Sequence, residues 1–552
     1  MRSVDLIAGC CVLLASVAQG QGEAGLSTEI GRIERLLDAW QFPQARQRAD
    51  ALLAANPDSA PVQYLAAWVK FHGGEHQTAL QLMERAISGL GASFPHSERF
   101  ALVKATARIA QDFQKEVSQD GKVVVFRRPG ADEILSPYIL EAIARTLKVV
   151  GEDLGYQVDH PVLVEIVPDG EALAAMTGLT ADEIRTSGTI AVCKYGRLMV
   201  TSPRATLKGF GWLDTASHEL IHLIIAQKTW DTTPIWIHEA LAKYEDSRWR
   251  VGEPLYRPGL SPIRESHLAA AIADNALIPF EKMHPSMAKL PSQEAAELAF
   301  SEVYMVTSFL LERKGYAGIR ELLVRLKQGN SDLQAIEAIY GLDRTRFVRA
   351  WMDYMKRLKL KRLVGKATLD EPGGPEKNRR SGAERSLARQ ERTELRDYFH
   401  LGELLRARGR TRAAVVEYGK AVRRAGADHA ALWLLSSKWG LSLTSLGRNE
   451  EAKKAFEASL SNNPWDLEAY LHLGRMLIGE DPFRAWLLIR EALRINPLDP
   501  RVHQLAKEAA AALSKKSDTR ENWAQQEARH QKALQILYRG PAPAEKPESA
   551  AP

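Results

Sequence analysis

His218-Glu219-Leu220-Ile221-His222-Leu223-Ile224-Ile225-Ala226 is the stretch on which the reading of this chain turns. On a helix, positions i and i+4 share one face, so the two imidazoles point the same way and can hold one cation. Zn–N distances of about 2.0–2.1 Å suit such a pair. Glu219 lies about 100° further round the helix, beside such a cation, where a general base for water is needed. Leu220, Ile221 and Leu223 to Ala226 supply the apolar face that anchors the helix. The polar trio is costly to bury there unless it has a partner. A surface histidine pair on an amphipathic helix is the bland alternative.

A catalytic zinc needs a third protein ligand and an open position. Metzincins place a glycine and a third histidine soon after the motif. Ile225 and Lys228 stand at those positions, which excludes that class. Downstream is Pro234-Ile235-Trp236-Ile237-His238-Glu239-Ala240-Leu241-Ala242-Lys243-Tyr244-Glu245-Asp246. Pro234 suits a helix start. Glu239 falls one turn in, 17 positions after His222, which leaves enough chain for a return helix that presents a carboxylate to the first. His238 is the rival third ligand, about 100° away on the same helix.

These two stretches together resemble the gluzincin-type peptidases of the MA-like group, in which H-E-x-x-H is followed by P-x-W-x-x-E-G-x-A-x-Y. The resemblance covers about Val162 to Gly315 and departs at Ala240, where the family usually has glycine. It implies His218, His222 and Glu239 as metal ligands, Glu219 as base and proton shuttle, Trp236 as a packing residue, and Zn2+ as cofactor. Related enzymes often carry a tyrosine or histidine that stabilises the oxyanion. Tyr304 is the candidate here, with a core aromatic as its alternative, and Tyr244 is a weaker one. Asp214 and Asp246 are candidates for orienting a metal-bound imidazole, with a helix cap as the other role for Asp214.

The flanks read differently. Ala45, Ala49, Leu52 and Pro57 are followed by Ala79, Met83 and Ala86, with Ala45 and Ala79 34 positions apart. After about residue 393 the lines are Ala414, Tyr418, Ala421, then Ala452, Phe456, Ser459, Pro464, then Ala485, Ile489, Ala492, Pro497. Small residues where helices cross, a larger one four later and a closing proline resemble the tetratricopeptide repeat. Such hairpins bury their apolar faces only by stacking.

Between the arrays, Val123–Phe126, Val162–Val167, Thr189–Cys193 and Leu198–Thr201 read as strands, the last two joined by a hairpin at Lys194-Tyr195-Gly196-Arg197. Ser136 to Tyr156 reads as a helix, and a short helix runs through Met176. The expected fold is an α+β zincin-like catalytic domain, a small mixed sheet plus helices, flanked by all-α tetratricopeptide-type repeats. The expected organisation is a signal peptide over 1–20, N-terminal repeats over 28–115, the peptidase domain over 120–363, a charged linker over 364–392, C-terminal repeats over 393–515, and a helix with a disordered tail over 516–552.

Composition agrees with two to four soluble domains in 552 residues. A net charge of +6, spread over this length without a basic stripe, does not argue for nucleic acid. Arg2, the apolar run Leu6–Val17 and Ala18-Gln19-Gly20 read as a signal peptide cleaved near Gly20, which implies export to the periplasm or beyond. The lipobox-like Ile7-Ala8-Gly9-Cys10, with a lipid anchor on Cys10, is the alternative; Asp5 is unusual for a signal. No later segment is apolar and long enough to be a transmembrane helix. Cys10 and Cys11 lie inside the proposed signal, so cleavage leaves Cys193 alone, with no internal disulfide and no cysteine cluster for a metal. The functional expectation is zinc-dependent hydrolysis of exported or envelope polypeptides, with repeats that bind substrate or a protein partner. The alternative is a repeat scaffold whose peptidase-like domain serves binding.

Overall fold

The structure is a computed structural model that describes residues 21–90, 97–206, 209–283, 287, 290–365 and 394–539. The signal peptide with Cys10, the linker from residue 366 and the tail from residue 540 lie outside the described residues.

The chain opens with helices α1 (Gln21–Asp38), α2 (Phe42–Ala55), α3 (Ala60–His72), α4 (His76–Leu90) and α5 (Ser97–Ile109). Of the repeat line, Ala45, Ala49, Ala79, Met83 and Ala86 are buried between them, whereas Leu52 is half-buried and Pro57 exposed.

A five-stranded sheet follows: β1 (Gln114–Val117), β2 (Val123–Arg127), β3 (Val162–Val167), β4 (Ala191–Lys194) and β5 (Arg197–Thr201), in the order β1-β2-β3-β5-β4. β2, β3 and β5 run parallel, and the two outer strands pair antiparallel. β1 begins at Gln114, so the sheet starts ahead of the expected boundary at 120. The strand is mostly exposed and polar, Gln-Lys-Glu-Val, and carries no alternating apolar signal. Side chains alternate across the sheet. Val162, Val164, Ile166, Leu198 and Val200 enter the main core, whereas Val167 and Met199 face a smaller cluster with Leu173 and Met176.

The helices of this domain are α6 (Ser136–Leu154), α7 (Gly170–Thr177), α8 (Ala181–Ser187), α9 (Trp212–Thr229), α10 (Ile235–Glu245), α11 (Pro262–Ala273), α12 (Gln293–Lys327), α13 (Asp332–Tyr340) and α14 (Arg344–Arg357). α7 starts where the Asp169 side chain accepts from the Ala172 N–H. α12 breaks its helical path at Gly315, where φ is 56°, a value that favours a residue without Cβ.

The C-terminal array comprises α15 (Glu394–Ala407), α16 (Thr411–Ala425), α17 (Leu432–Thr444), α18 (Asn449–Asn462), α19 (Leu467–Leu477), α20 (Pro482–Ile495), α21 (Pro500–Lys515) and α22 (Trp523–Arg539). A Cβ on Gly402 would stand 2.7 Å from the Tyr418 ring, and one on Gly440 2.7 Å from the Phe456 ring. Glycine on the first helix of a pair thus admits the aromatic of the second.

This array packs on the sheet domain next to the start of α9. The Phe210 N–H donates to the Ile495 carbonyl at 2.8 Å. A Cβ on Gly211 would meet the Trp465 ring at 2.5 Å. Arg250 pairs with Glu491 at 2.6 Å, and Arg494 with Glu253 at 2.6 Å. Among the described residues no helix is long and apolar enough to cross a membrane.

Candidate metal centre

α9 carries His218, Glu219 and His222 through the buried heart of the sheet domain, with Leu220, Ile221, Leu223, Ile224 and Ile225 fully enclosed. α10 begins behind Pro234, and the Trp236 indole donates to Asp332 Oδ2 at 2.8 Å, which fixes the helix start against α13. Glu239, one turn on, faces α9.

His218 Nε2 and His222 Nε2 are 3.1 Å apart. Glu239 Oε2 is 3.3 Å from the first and 3.6 Å from the second. Atoms held about 2.0–2.1 Å from a tetrahedral zinc ion stand about 3.3 Å from one another, so the three donors are spaced as that ion requires. Glu239 Oε2 is also buried without a hydrogen-bond partner, which an unmet cation explains. Among the described residues this is the group of three whose ligand atoms converge.

From the protein's own charges, burial works against the Glu239 carboxylate, but the two imidazoles outweigh it and hold the group down at about 2. Burial pushes His222 down to about 4 against the pull of Glu239. Glu239 is therefore an anion, and His222 a neutral imidazole with a lone pair to offer. Glu219 is 8% exposed. Burial, opposed by His218 and reinforced by Glu239, raises its carboxyl to about 7, within the range of a group that accepts and returns a proton near neutrality. Its Oε2 accepts from the Cys193 N–H of β4 at 2.6 Å.

His238 is not placed among the ligand atoms. Its Nδ1 lies 3.3 Å from Nδ1 of His222, on the side of that ring away from Glu239. With Nε2 of His222 given to a metal, Nδ1–H is left to donate to His238. Neither acid proposed for imidazole orientation hydrogen-bonds a ligand. Asp214 accepts from Trp249 Nε1 at 2.8 Å, and Asp246 accepts from Lys243 Nζ at 2.8 Å. Nor does Asp214 cap α9, whose N-cap position is Gly211. Helical spacing from a ligand points to both acids, and their partners decide against the role: Trp249, to which no periodicity points, for Asp214, and Lys243 for Asp246.

Tyr304 lies on α12 one turn after Phe300, whose ring meets His218 edge-on at 6.4 Å. Its own ring packs 5.1 Å from Tyr244 of α10. Burial raises the phenol and keeps its proton in place. Cys193 is half-buried in β4, and burial holds its thiol well above the usual range, so it is an inert side chain whose backbone does the bonding.

Residues 142–357, which contain both helices and all four polar groups, match the family model described as Peptidase MA superfamily. They form a Peptidase MA superfamily domain. Residues 31–97 and 440–464 match tetratricopeptide repeat models, so the peptidase MA domain has such repeats on both sides. No curated protein matches the chain. Among solved structures, the chain is similar to "MamA RS-1 ArsTM double mutant" at 22% identity, over 28% of this chain and 84% of that one, with a TM-score of 0.23. It is also similar to native yeast LTA4 hydrolase at 10% identity, over 77% of this chain and 67% of that one, with a TM-score of 0.29. The same yeast enzyme in complex with Bestatin matches at 10% identity, with equal coverage and a TM-score of 0.28. The peptidase MA domain here is of metallopeptidase type, and its donor set lies where the two helices face each other.

Proposed function

We propose that the chain is a zinc-dependent peptidase, an endopeptidase acting on exported or envelope polypeptides, with zinc on His218, His222 and Glu239. The observation that carries this reading is the convergence of two imidazole nitrogens and one orphaned carboxylate oxygen at the spacing of a tetrahedral ion. Zinc bound there supplies Lewis-acid polarisation of a carbonyl and acidifies water.

The remaining steps belong to the chain. Glu219 Oε2 is tied to the Cys193 N–H, which leaves Oε1 to take a proton from the attacking water. The same oxygen then delivers that proton to the leaving amine nitrogen. Tyr304, protonated and carried by α12 against Tyr244 of α10, serves as the donor to the oxyanion. β4 is an outer strand of the sheet and presents its free edge to an extended chain. Export is part of the same proposal and rests on the N-terminal segment of the sequence.

Cleavage of unfolded casein by zinc-loaded wild type and Glu219→Gln tests this. The wild type should cleave and the variant should keep its zinc while losing about 10²–10⁴-fold in rate. Equal rates for the two proteins would remove Glu219 from its role.

A further inference from the structure

The two residues at the tip of the β4–β5 hairpin are Tyr195 and Gly196, with φ of 57° and 72°. A two-residue turn with both φ values positive favours Asn-Gly or Gly-Gly. Tyrosine at the first position runs against local turn chemistry, so its reason is tertiary.

That reason is a seat on the N-terminal repeats. The Tyr195 ring lies 5.2 Å from Phe71, 5.5 Å from Trp68 and 5.5 Å from His72, edge-on to each, at the end of α3. A Cβ on Gly196 would come within 2.7 Å of the Phe42 ring at the start of α2, so only glycine lets the turn approach this closely. The next residue, Arg197, is fully buried. Its guanidinium stacks 4.5 Å over Phe71 and donates to Glu165 Oε2 at 2.6 Å. It also lies 3.1 Å from Nε2 of His76 at the start of α4. Burial, with Arg197 and Arg99 adding to it, keeps His72 uncharged, so it packs as one more ring.

β4 is four residues long and pairs with β5 alone. Ala191 is seated in the main core and Lys194 Nζ holds the Thr177 carbonyl, and the Cys193 N–H donates to Glu219 two residues before Tyr195. The turn is the end of β4 nearest Cys193, so its seat acts on where the Cys193 N–H points, and with it on the Glu219 carboxylate. We propose that the N-terminal repeats are a socket for the domain's own β4–β5 turn, and that Tyr195 is a positioning residue for Glu219. The second half of the proposal rests on the reading of Glu219 as the base. The anchor is the ring: the Tyr195 hydroxyl also donates to the Thr177 carbonyl at 3.3 Å, as Lys194 Nζ does at 2.7 Å, and those bonds are separable from the socket.

The test compares full-length Trp68→Ala, Gly196→Ala and Tyr195→Phe with wild type by amide hydrogen exchange over residues 190–201, zinc content, and kcat and KM on casein. Gly196→Ala pushes the turn off Phe42 without cutting into the repeat core, which guards against a Trp68→Ala protein that fails to fold. Trp68→Ala and Gly196→Ala should speed exchange at Cys193 by about tenfold or more, keep zinc, and lower kcat about ten- to a hundredfold with KM little changed. Tyr195→Phe should behave as wild type. Exchange over 190–201 unchanged in both Trp68→Ala and Gly196→Ala would overturn the proposal, as would a Tyr195→Phe protein that loosens the strand as they do. A wild type that hydrolyses nothing removes the peptidase reading alone, because exchange at Cys193 still decides the docking.

Discussion

Trp249 Nε1 donates to Asp214 Oδ1 at 2.8 Å, one helical turn ahead of His218. The indole is flanked by the guanidinium of Arg145 at 5.4 Å and that of Arg494 at 5.3 Å. Arg494 belongs to α20 of the C-terminal repeats, so beside the contacts at its start α9 is also tied to the repeat array through Trp249. Burial, opposed by Arg250, raises the Asp214 carboxyl to about 6, which leaves it an anion at neutral pH that needs its donor. Trp249→Phe keeps the ring and deletes the N–H. It should lower unfolding stability by about 1–3 kcal/mol, read as a shift in the urea midpoint. An unchanged midpoint would mean that the bond contributes nothing net.

His238 supports His222 from behind. Outer partners of this kind are worth about 10–100-fold in metal affinity. His238→Ala should weaken zinc by that factor in a competition titration with a chromophoric chelator, while one zinc per chain still binds at saturation. Complete loss of zinc would return His238 to the ligand set.

The buried trio of Glu165, Arg197 and His76 joins β3 and β5 to the repeats. Burial acts to raise the Glu165 carboxyl, but Arg197 and then His76 outweigh it and hold it at about 2, below the ordinary 4.5. A depressed carboxyl stabilises the fold fully above its unfolded value and loses that contribution as pH falls towards the folded one. Glu165→Gln strands the Arg197 charge and should cost about 3–5 kcal/mol at pH 7. The difference between variant and wild type should shrink as denaturation is repeated from pH 4.5 towards pH 2. A constant difference would assign the loss to packing.

His503 and His530 meet at 2.9 Å, Nδ1 to Nδ1, between α21 and α22. His503 Nε2 is 2.6 Å from the Pro497 carbonyl. Because the carbonyl only accepts, His503 Nε2 bears the proton and its Nδ1 accepts from His530. Burial lowers His503 to about 4 and His530 well below its usual value. The unfolded state therefore binds more protons between about pH 6.5 and pH 4, and stability of the C-terminal helices falls as pH drops through that window. His530→Phe should flatten this fall in a melting series followed by helical circular dichroism. An equally steep fall in the variant would place the titration elsewhere.

Much of this architecture is legible from residue spacing. The i, i+4 histidines and a glutamate one turn past Pro234 foretell two facing helices, and Ala45 to Ala79 foretells stacked hairpins. The buried strands β2 and β3 show as β-branched runs, and β5 as the return of a hairpin. Contacts set by tertiary packing are not legible. The outer strand β1 is polar, and α8 is a capped helix of seven residues, about two turns. His238 and Glu239 are neighbours in sequence and both meet α9, and only the packing of α10 decides that Glu239 reaches the two Nε2 atoms while His238 reaches Nδ1 of His222. The bond from Cys193 to Glu219 involves a backbone N–H, which no residue pattern can signal. Trp249 and Tyr195 act through rings packed against parts of the chain far away in sequence.

The most direct measurement is zinc per chain, by elemental analysis of the purified full-length protein after exhaustive buffer exchange, for wild type, Glu239→Ala and Glu219→Gln. One zinc per chain in wild type and Glu219→Gln, with stoichiometric zinc lost from Glu239→Ala, is the predicted result. Glu239→Ala that retains zinc as wild type does, or a wild type that takes up none, would contradict a centre built from His218, His222 and Glu239.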